Sequence, residues 1–177
     1  MKILFTLESS AGMEVKMKQI KGGVTAAKGF KAASTAAGIK YKDRTDMAMI
    51  YSEVPCAVAG TFTTNIVKAA PVKWDQHVVY DSKKAQAVIV NAGIANACTG
   101  EEGMGYCKAT AEKVNKLLQI PTDEVLVAST GVIGMQLPME KMTEGVRMLA
   151  KAIKPVEEAG TDAAKAIMTT DTRNKQV

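Results

Sequence analysis

Hydrophobic and polar positions along this chain switch repeatedly between a period of two and a period near three and a half. The switches predict strands and helices in turn. Residues 85–90 (AQAVIV) and 125–128 (VLVA) are short apolar runs that read as buried strands. Residues 47–52 and 56–63 read as two further strands, separated by Pro55. Helical spacing takes over after Glu101, where Cys107, Ala111, Val114, Leu117 and Leu118 recur every three or four residues. A second amphipathic helix starts near Pro138 and carries Met142, Val146, Leu149 and Ile153 on one face. Gly160-Thr161-Asp162 reads as the N-cap of a short helix over 163–166. Pro71 is expected to end any helical turn begun after Asn65. Gly22, Gly23 and Gly29 divide the first forty residues into short strand-turn pieces rather than a long helix. Strands alternating with helices, without internal repeats, predict a layered α/β domain.

Composition narrows this picture. The chain has 177 residues, enough for one domain or one part of a larger assembly, and 47% of them are hydrophobic, which excludes a disordered polymer. Aromatics make up only 5% against 11 Met, so the core must be aliphatic, with Met104, Met135, Met139, Met142 and Met148 as filler. No apolar run approaches the roughly 20 residues of a membrane span, and the N-terminal MKILFTLESS lacks a secretory apolar region. A soluble, cytoplasmic protein without membrane partners is expected.

The formal charge of +5 is modest. Lysines are densest before Asp46 (Lys2, Lys16, Lys18, Lys21, Lys28, Lys31, Lys40, Lys42), with few aromatics among them for base stacking. They read as a solvated basic face, or less simply as a site for a small anion; nucleic acid is not expected as a partner. Three cysteines with no paired spacing suit a reducing compartment, and with the single His77 they form no metal-ligand cluster, so no metal is expected. His77 lies in a polar approach to a strand and reads as a surface residue. Without a positioned histidine, Cys98 reads as a small buried thiol rather than an acyl-transfer nucleophile.

Two places set small polar residues directly after an apolar run. Residues 91–100 (NAGIANACTG) follow the first, and Ser129-Thr130-Gly131 follow the second. Both read as loops. A Thr-Gly turn at a strand end can present N–H and hydroxyl donors to a developing oxyanion, or can merely turn the chain. Asn91 and Asn96 can orient a polar substrate or bond their own turns. Thr169 and Thr170 are either strand-edge hydroxyls or substrate contacts.

Six stretches in a fixed order decide among these alternatives: 22–30 (GGVTAAKGF), 59–65 (AGTFTTN), 69–72 (AAPV), 91–100, 129–134 (STGVIG) and 166–172 (AIMTTDT). Together they resemble the α chain of the arginine-biosynthesis glutamate N-acetyltransferases, also called ornithine acetyltransferases. The resemblance implies an α-β-β-α sandwich completed by a second, β chain, with residues 1–177 a single domain of a self-cleaved precursor. It implies cleavage between an Ala and a Thr beyond Val177, in a Gly-rich segment that also carries the family's substrate-binding Lys. The freed Thr, with its own α-amine as base, would be the nucleophile; none is expected in this chain.

By the same resemblance, Thr130 and Gly131 stabilise the oxyanion and Thr169 binds substrate. The acetyl group passes from N2-acetylornithine to glutamate, no cofactor is required, and some members also use acetyl-CoA as donor. The partners implied are the β chain, in a heterotetramer of two α and two β chains, and the small-molecule substrates. Ala92 departs from the pattern, which often has Ser there. An N-terminal-nucleophile aminopeptidase of related fold, or a non-catalytic anion-binding module, are the alternatives.

Overall fold

The computed structural model describes residues 5–8, 14–17 and 20–176. The N-terminal segment read for a leader, and the side chains of Lys2, Lys16 and Lys18, fall outside these. Strands β1 (Phe5–Glu8) and β2 (Glu14–Met17) form an antiparallel pair. The main sheet has four strands in sequential order: β3 (Phe30–Thr35), β4 (Met47–Ala57), β5 (Lys84–Ile94) and β6 (Val125–Val132). The first three are antiparallel neighbours, while β5 and β6 are parallel and joined through helix α2 (Gly100–Leu118).

Period-two alternation sorts the sheet into two faces. Met47, Met49, Ile89, Val125 and Val127 are buried together beneath α1 (Ala70–His77), α2 and α3 (Met139–Ala152). From the helices come Trp74, Cys107, Ala111, Val114, Met142, Val146 and Leu149. On the opposite face, helix α4 (Glu157–Ala166) lays Ala163 and Ala166 on Ala32 and Ala48, where only small side chains allow so close a seat. Ile50, Val88, Val90, Leu126 and Ala128 share that second face and are only half-buried.

Several sequence expectations change here. Residues 47–57 are one strand, not two: Pro55 falls where the β4–β5 register shifts between Tyr51 and Cys56, a break in the ladder that needs no N–H from it. Residues 59–63 are not strand. Pro71 opens α1 instead of ending a turn, because the first helical positions have no intrahelical partner for an N–H. Helix α4 begins at Glu157, so Gly160-Thr161-Asp162 are inside it, and Gly160 is small because Thr25 Oγ1 would stand 2.9 Å from a Cβ there. Leu117 and Met135 are exposed rather than core.

Strand β6 ends the main sheet, and α1 covers its outer edge with side chains. Trp74 Nε1 donates to the Val125 carbonyl at 2.8 Å, and the Val127 N–H donates to Asp75 Oδ1 at 2.9 Å. Two groups an edge strand would leave open are thereby paired. The cost falls on Asp75: burial pushes its carboxyl up to about 6, although the Val127 N–H pulls it down. The neutral form is therefore the one folding favours, and this contribution to stability is complete below 3.8 and lost as pH rises through about 6. Asp75→Asn keeps an acceptor for Val127 without a desolvated charge. Thermal melts should show the variant more stable than wild type above about pH 7, with the wild-type decline between about pH 4 and 6 removed.

Candidate active site

The two polar stretches that read as loops are in fact the paired C-terminal ends of β5 and β6. Asn91 lies beside Ser129, Ala92 beside Thr130, Gly93 beside Gly131 and Ile94 beside Val132. Pairing continues as the chains leave the sheet, with the Ala95 N–H donating to Val132 O at 2.9 Å and the Gly134 N–H to Ala97 O at 2.8 Å. The parallel ladder extends β5 and β6 through residues whose composition suggested turns. The C-terminal ends of parallel strands are where open α/β sheets bind ligands.

Alternation gives neighbouring residues opposite duties. Asn91 and Ser129 point toward the helices. Asn91 is fully buried, its Nδ2 donating to Ile94 O at 2.9 Å and its Oδ1 accepting from Ser129 Oγ at 2.6 Å. Asn96 is equally enclosed, with Nδ2 on Gly103 O at 3.0 Å and Oδ1 accepting from Thr99 Oγ1 at 2.8 Å. Both amides stiffen the platform. Ala92 and Thr130 face the other way, on the sheet surface that carries α4. Thr130 is half-buried, Gly131 is exposed, and the Thr130 hydroxyl has no hydrogen-bond partner among the described residues.

Gly131 has φ 133° and Gly93 φ 117°. A Cβ on Gly131 would run into the Gly93 carbonyl and stand 2.7 Å from Ile94 N. A Cβ on Gly93 would meet Lys40 Cβ at 2.9 Å. Two backbones and a loop thus converge where any side chain would force them apart. The loop is residues 36–46, linking β3 to β4. Buried Asp46 shapes it, accepting from the Ala37 and Ile39 N–H groups at 2.7 and 2.6 Å, while its own carbonyl accepts from the Ala92 N–H at 2.8 Å.

Thr169 follows α4 in an irregular bend, not a strand edge, and is half-buried. Arg44, from the 36–46 loop, donates through Nη2 to the Met168 carbonyl at 2.5 Å. That bond ties the Thr169 segment to the end of the sheet where Thr130 and Gly131 lie. Arg44 was not singled out by sequence, since an arginine in a Lys-rich loop carries no signal of its own.

The remaining candidates take structural or surface positions. His77 ends α1 and is exposed, with Nδ1 2.5 Å from Asp81 Oδ2. Cys98 is exposed rather than buried, because a left-handed turn (φ 57°) swings it outward. Cys107 is the buried thiol, pushed up to about 12 by burial first and then by the Asp75 charge, so it is unreactive at neutral pH. Among the described lysines, Lys21, Lys28, Lys40 and Lys42 are exposed, and Lys31 pairs with Glu53 at 2.7 Å, a solvated face. A cleft of about 460 Å³ beside the strand exits, lined by Lys68, Lys73, Cys98, Thr99 and Glu101 among others, was not foreseen either. No cluster of metal-ligating side chains, and no helix long and apolar enough to cross a membrane, occurs among the described residues.

Residues 31–177 match the ArgJ family. The chain is 50% identical over 153 residues to an arginine biosynthesis bifunctional protein ArgJ from Gloeobacter violaceus, covering 86% of this chain and 37% of that protein. It is 44% identical over 161 residues to a chloroplastic protein of the same name from Zea mays, covering 90% of this chain and 35% of the relative. The chain therefore spans somewhat over a third of the length of the curated relatives it matches. Among solved structures, an ArgJ protein from Bacillus halodurans superposes with a TM-score of 0.81 at 38% identity, covering 97% of this chain and 82% of that one. The ornithine acetyltransferase from Mycobacterium tuberculosis, complexed with ornithine, gives 0.82 at 46% identity over 85% of this chain and 81% of its own.

The Gly93–Gly131 contact makes a direct prediction. Gly131→Ala should lower stability by about 2–4 kcal/mol through overpacking and backbone strain, measured by urea denaturation. Ser129→Ala, which leaves that contact alone, should cost about 1 kcal/mol.

Proposed function

Since the chain belongs to the ArgJ family, we propose that it is the α chain of an acetyltransferase of arginine biosynthesis, moving an acetyl group from N2-acetylornithine to glutamate. The observation that carries this reading is the Thr130–Gly131 pair: a hydroxyl without a hydrogen-bond partner among the described residues and an exposed glycine, at the C-terminal end of a rigid parallel strand pair. Donors held before the reaction begins stabilise a charge that appears only in the transition state.

In this reading the nucleophile is the N-terminal Thr of a β chain released from the same precursor. Its hydroxyl attacks the acetyl carbonyl, its α-amine takes the proton, and the carbonyl oxygen becomes an oxyanion facing Thr130 and Gly131. Collapse expels ornithine and leaves an acetyl-Thr ester. The glutamate amine then attacks that ester through a second oxyanion at the same donors, giving N-acetylglutamate and restoring the Thr. Thr169 contacts the substrate. The relative crystallised with ornithine supports this substrate class, and the word bifunctional in the relatives' names fits acetyl-CoA as a second donor.

The half-buried apolar row Ile50, Val88, Val90, Leu126 and Ala128 supports the partner. A β-chain sheet laid over it would complete the second β layer of an α-β-β-α sandwich, in a heterotetramer of two α and two β chains. Three unpaired cysteines fit a reducing compartment, the cytoplasm in a bacterium.

Replacing Thr130 with Ala should slow acetyl transfer in the assembled enzyme by roughly 10²–10³-fold, read from initial rates with N2-acetylornithine and glutamate. Unchanged rates would remove the hydroxyl from this role. Intact mass and N-terminal sequencing of what co-purifies with the chain should find a fragment beginning with Thr. Hydrolysis of small peptide amides in place of transfer would instead favour the aminopeptidase.

A further inference from the structure

The grip on the Thr169 segment carries an inference that rests on the reading above. Met168 C=O and Thr169 N–H belong to one peptide plane. Arg44 Nη2 donates to the carbonyl end at 2.5 Å. Two residues on, the Asp171 carboxylate is held by Lys175 Nζ at 2.6 Å. Arg44 thus clamps this peptide by its carbonyl end, and the plane cannot rotate without breaking that charge-assisted bond. The residues around it lie outside helix and strand, so this clamp is a long-range tie on the peptide bearing Thr169.

Arg44 is itself oriented. Its guanidinium lies 5.4 Å from the Tyr41 ring centroid, a ring that also carries Lys40 Nζ at 5.0 Å on the same loop. That loop is anchored at Asp46, whose carbonyl receives the Ala92 N–H, one residue before Gly93. A continuous line of contacts thus runs from Ala92–Gly93 in β5, through Asp46 and Arg44, to the peptide bearing Thr169.

We propose that Arg44 is a positioning residue for substrate binding: by holding the Met168–Thr169 peptide, it fixes the Thr169 hydroxyl relative to the Thr130–Gly131 strand end. It touches the peptide and not the reacting atoms, so its loss weakens substrate binding more than it slows chemistry.

The test uses the assembled α and β chains carrying Arg44→Ala or Arg44→Lys. Hydrogen exchange followed by mass spectrometry reads the clamp without any assay of activity. Arg44→Ala should speed exchange across 168–172 by about tenfold or more, with β5 and β6 unchanged. In steady-state kinetics, KM for N2-acetylornithine should rise roughly tenfold or more while kcat stays within about threefold, and Arg44→Lys should recover most of the loss, since an ammonium can still donate to the Met168 carbonyl. Unchanged exchange at 168–172 overturns the clamp whatever the kinetics show. Faster exchange with an unchanged KM, or with kcat, KM and melting temperature all deteriorating in both variants, overturns the positioning role. Should wild type lack acetyl transfer while Arg44→Ala still loosens 168–172, the functional reading falls and the positioning role with it, while the clamp stands as a structural fact.

Discussion

No side chain fits between Gly93 and Gly131, and most of what this fold offers follows from that closeness. Side chains of paired parallel strands normally stand above and below the sheet, clear of the neighbouring backbone. Here both strands carry glycine at the same register position, each in a conformation that L-residues rarely adopt. The backbones can therefore remain paired to the last residue while turning away from the ideal extended path. The 36–46 loop closes down on the same point, with Lys40 against Gly93. A rigid strand end with uncovered backbone is what electrostatic catalysis requires, because donors that must reorganise during reaction lose most of their advantage.

The polar groups around this point are satisfied inwardly. Asn91, Asn96 and Asp46 are buried and bonded to backbone or to short hydroxyl side chains. Each such group would be costly if left unpaired, so the network holds the strand exits and the loop in one arrangement. On the outer edge of the sheet, Trp74 and Asp75 do for β6 what a fifth strand would do. The seal is asymmetric: the indole bond is neutral, whereas Asp75 carries a carboxyl whose charge is poorly solvated, and this makes the edge sensitive to pH.

The two faces of the sheet differ in completeness. Three helices close one face over a core rich in Met, Val and Ala, whereas α4 covers the β3–β4 half of the other. The remaining half presents aliphatic side chains beside Thr130. In the proposed enzyme this is the surface that receives the β chain, so the residues that seat the partner and the residue that faces the oxyanion share one face of the sheet, and Leu126, Ala128 and Thr130 share one strand. Assembly and catalysis would then depend on the same alternation along β6.

Much of this was legible in the amino-acid order. Runs 85–90 and 125–128 announced the two central strands, the spacing of Cys107, Ala111 and Val114 announced α2, and the ordered motifs pointed to the family. These signals survive in sequence because periodicity and motif order are local properties. The errors fell where long-range contacts override local preference. Residues 91–94 and 129–132 look like loops by composition, yet they are strand because each supplies the other's ladder across a parallel pairing 38 residues apart in sequence. Pro55 and Pro71 look like breaks, yet one falls at a register shift and the other in a first helical turn, positions where no N–H is needed. Which side of the sheet Thr130 would occupy, and that Arg44 would reach Met168 across 124 residues, depended on register and chain path. Those belong to the whole folded chain and to no segment of it.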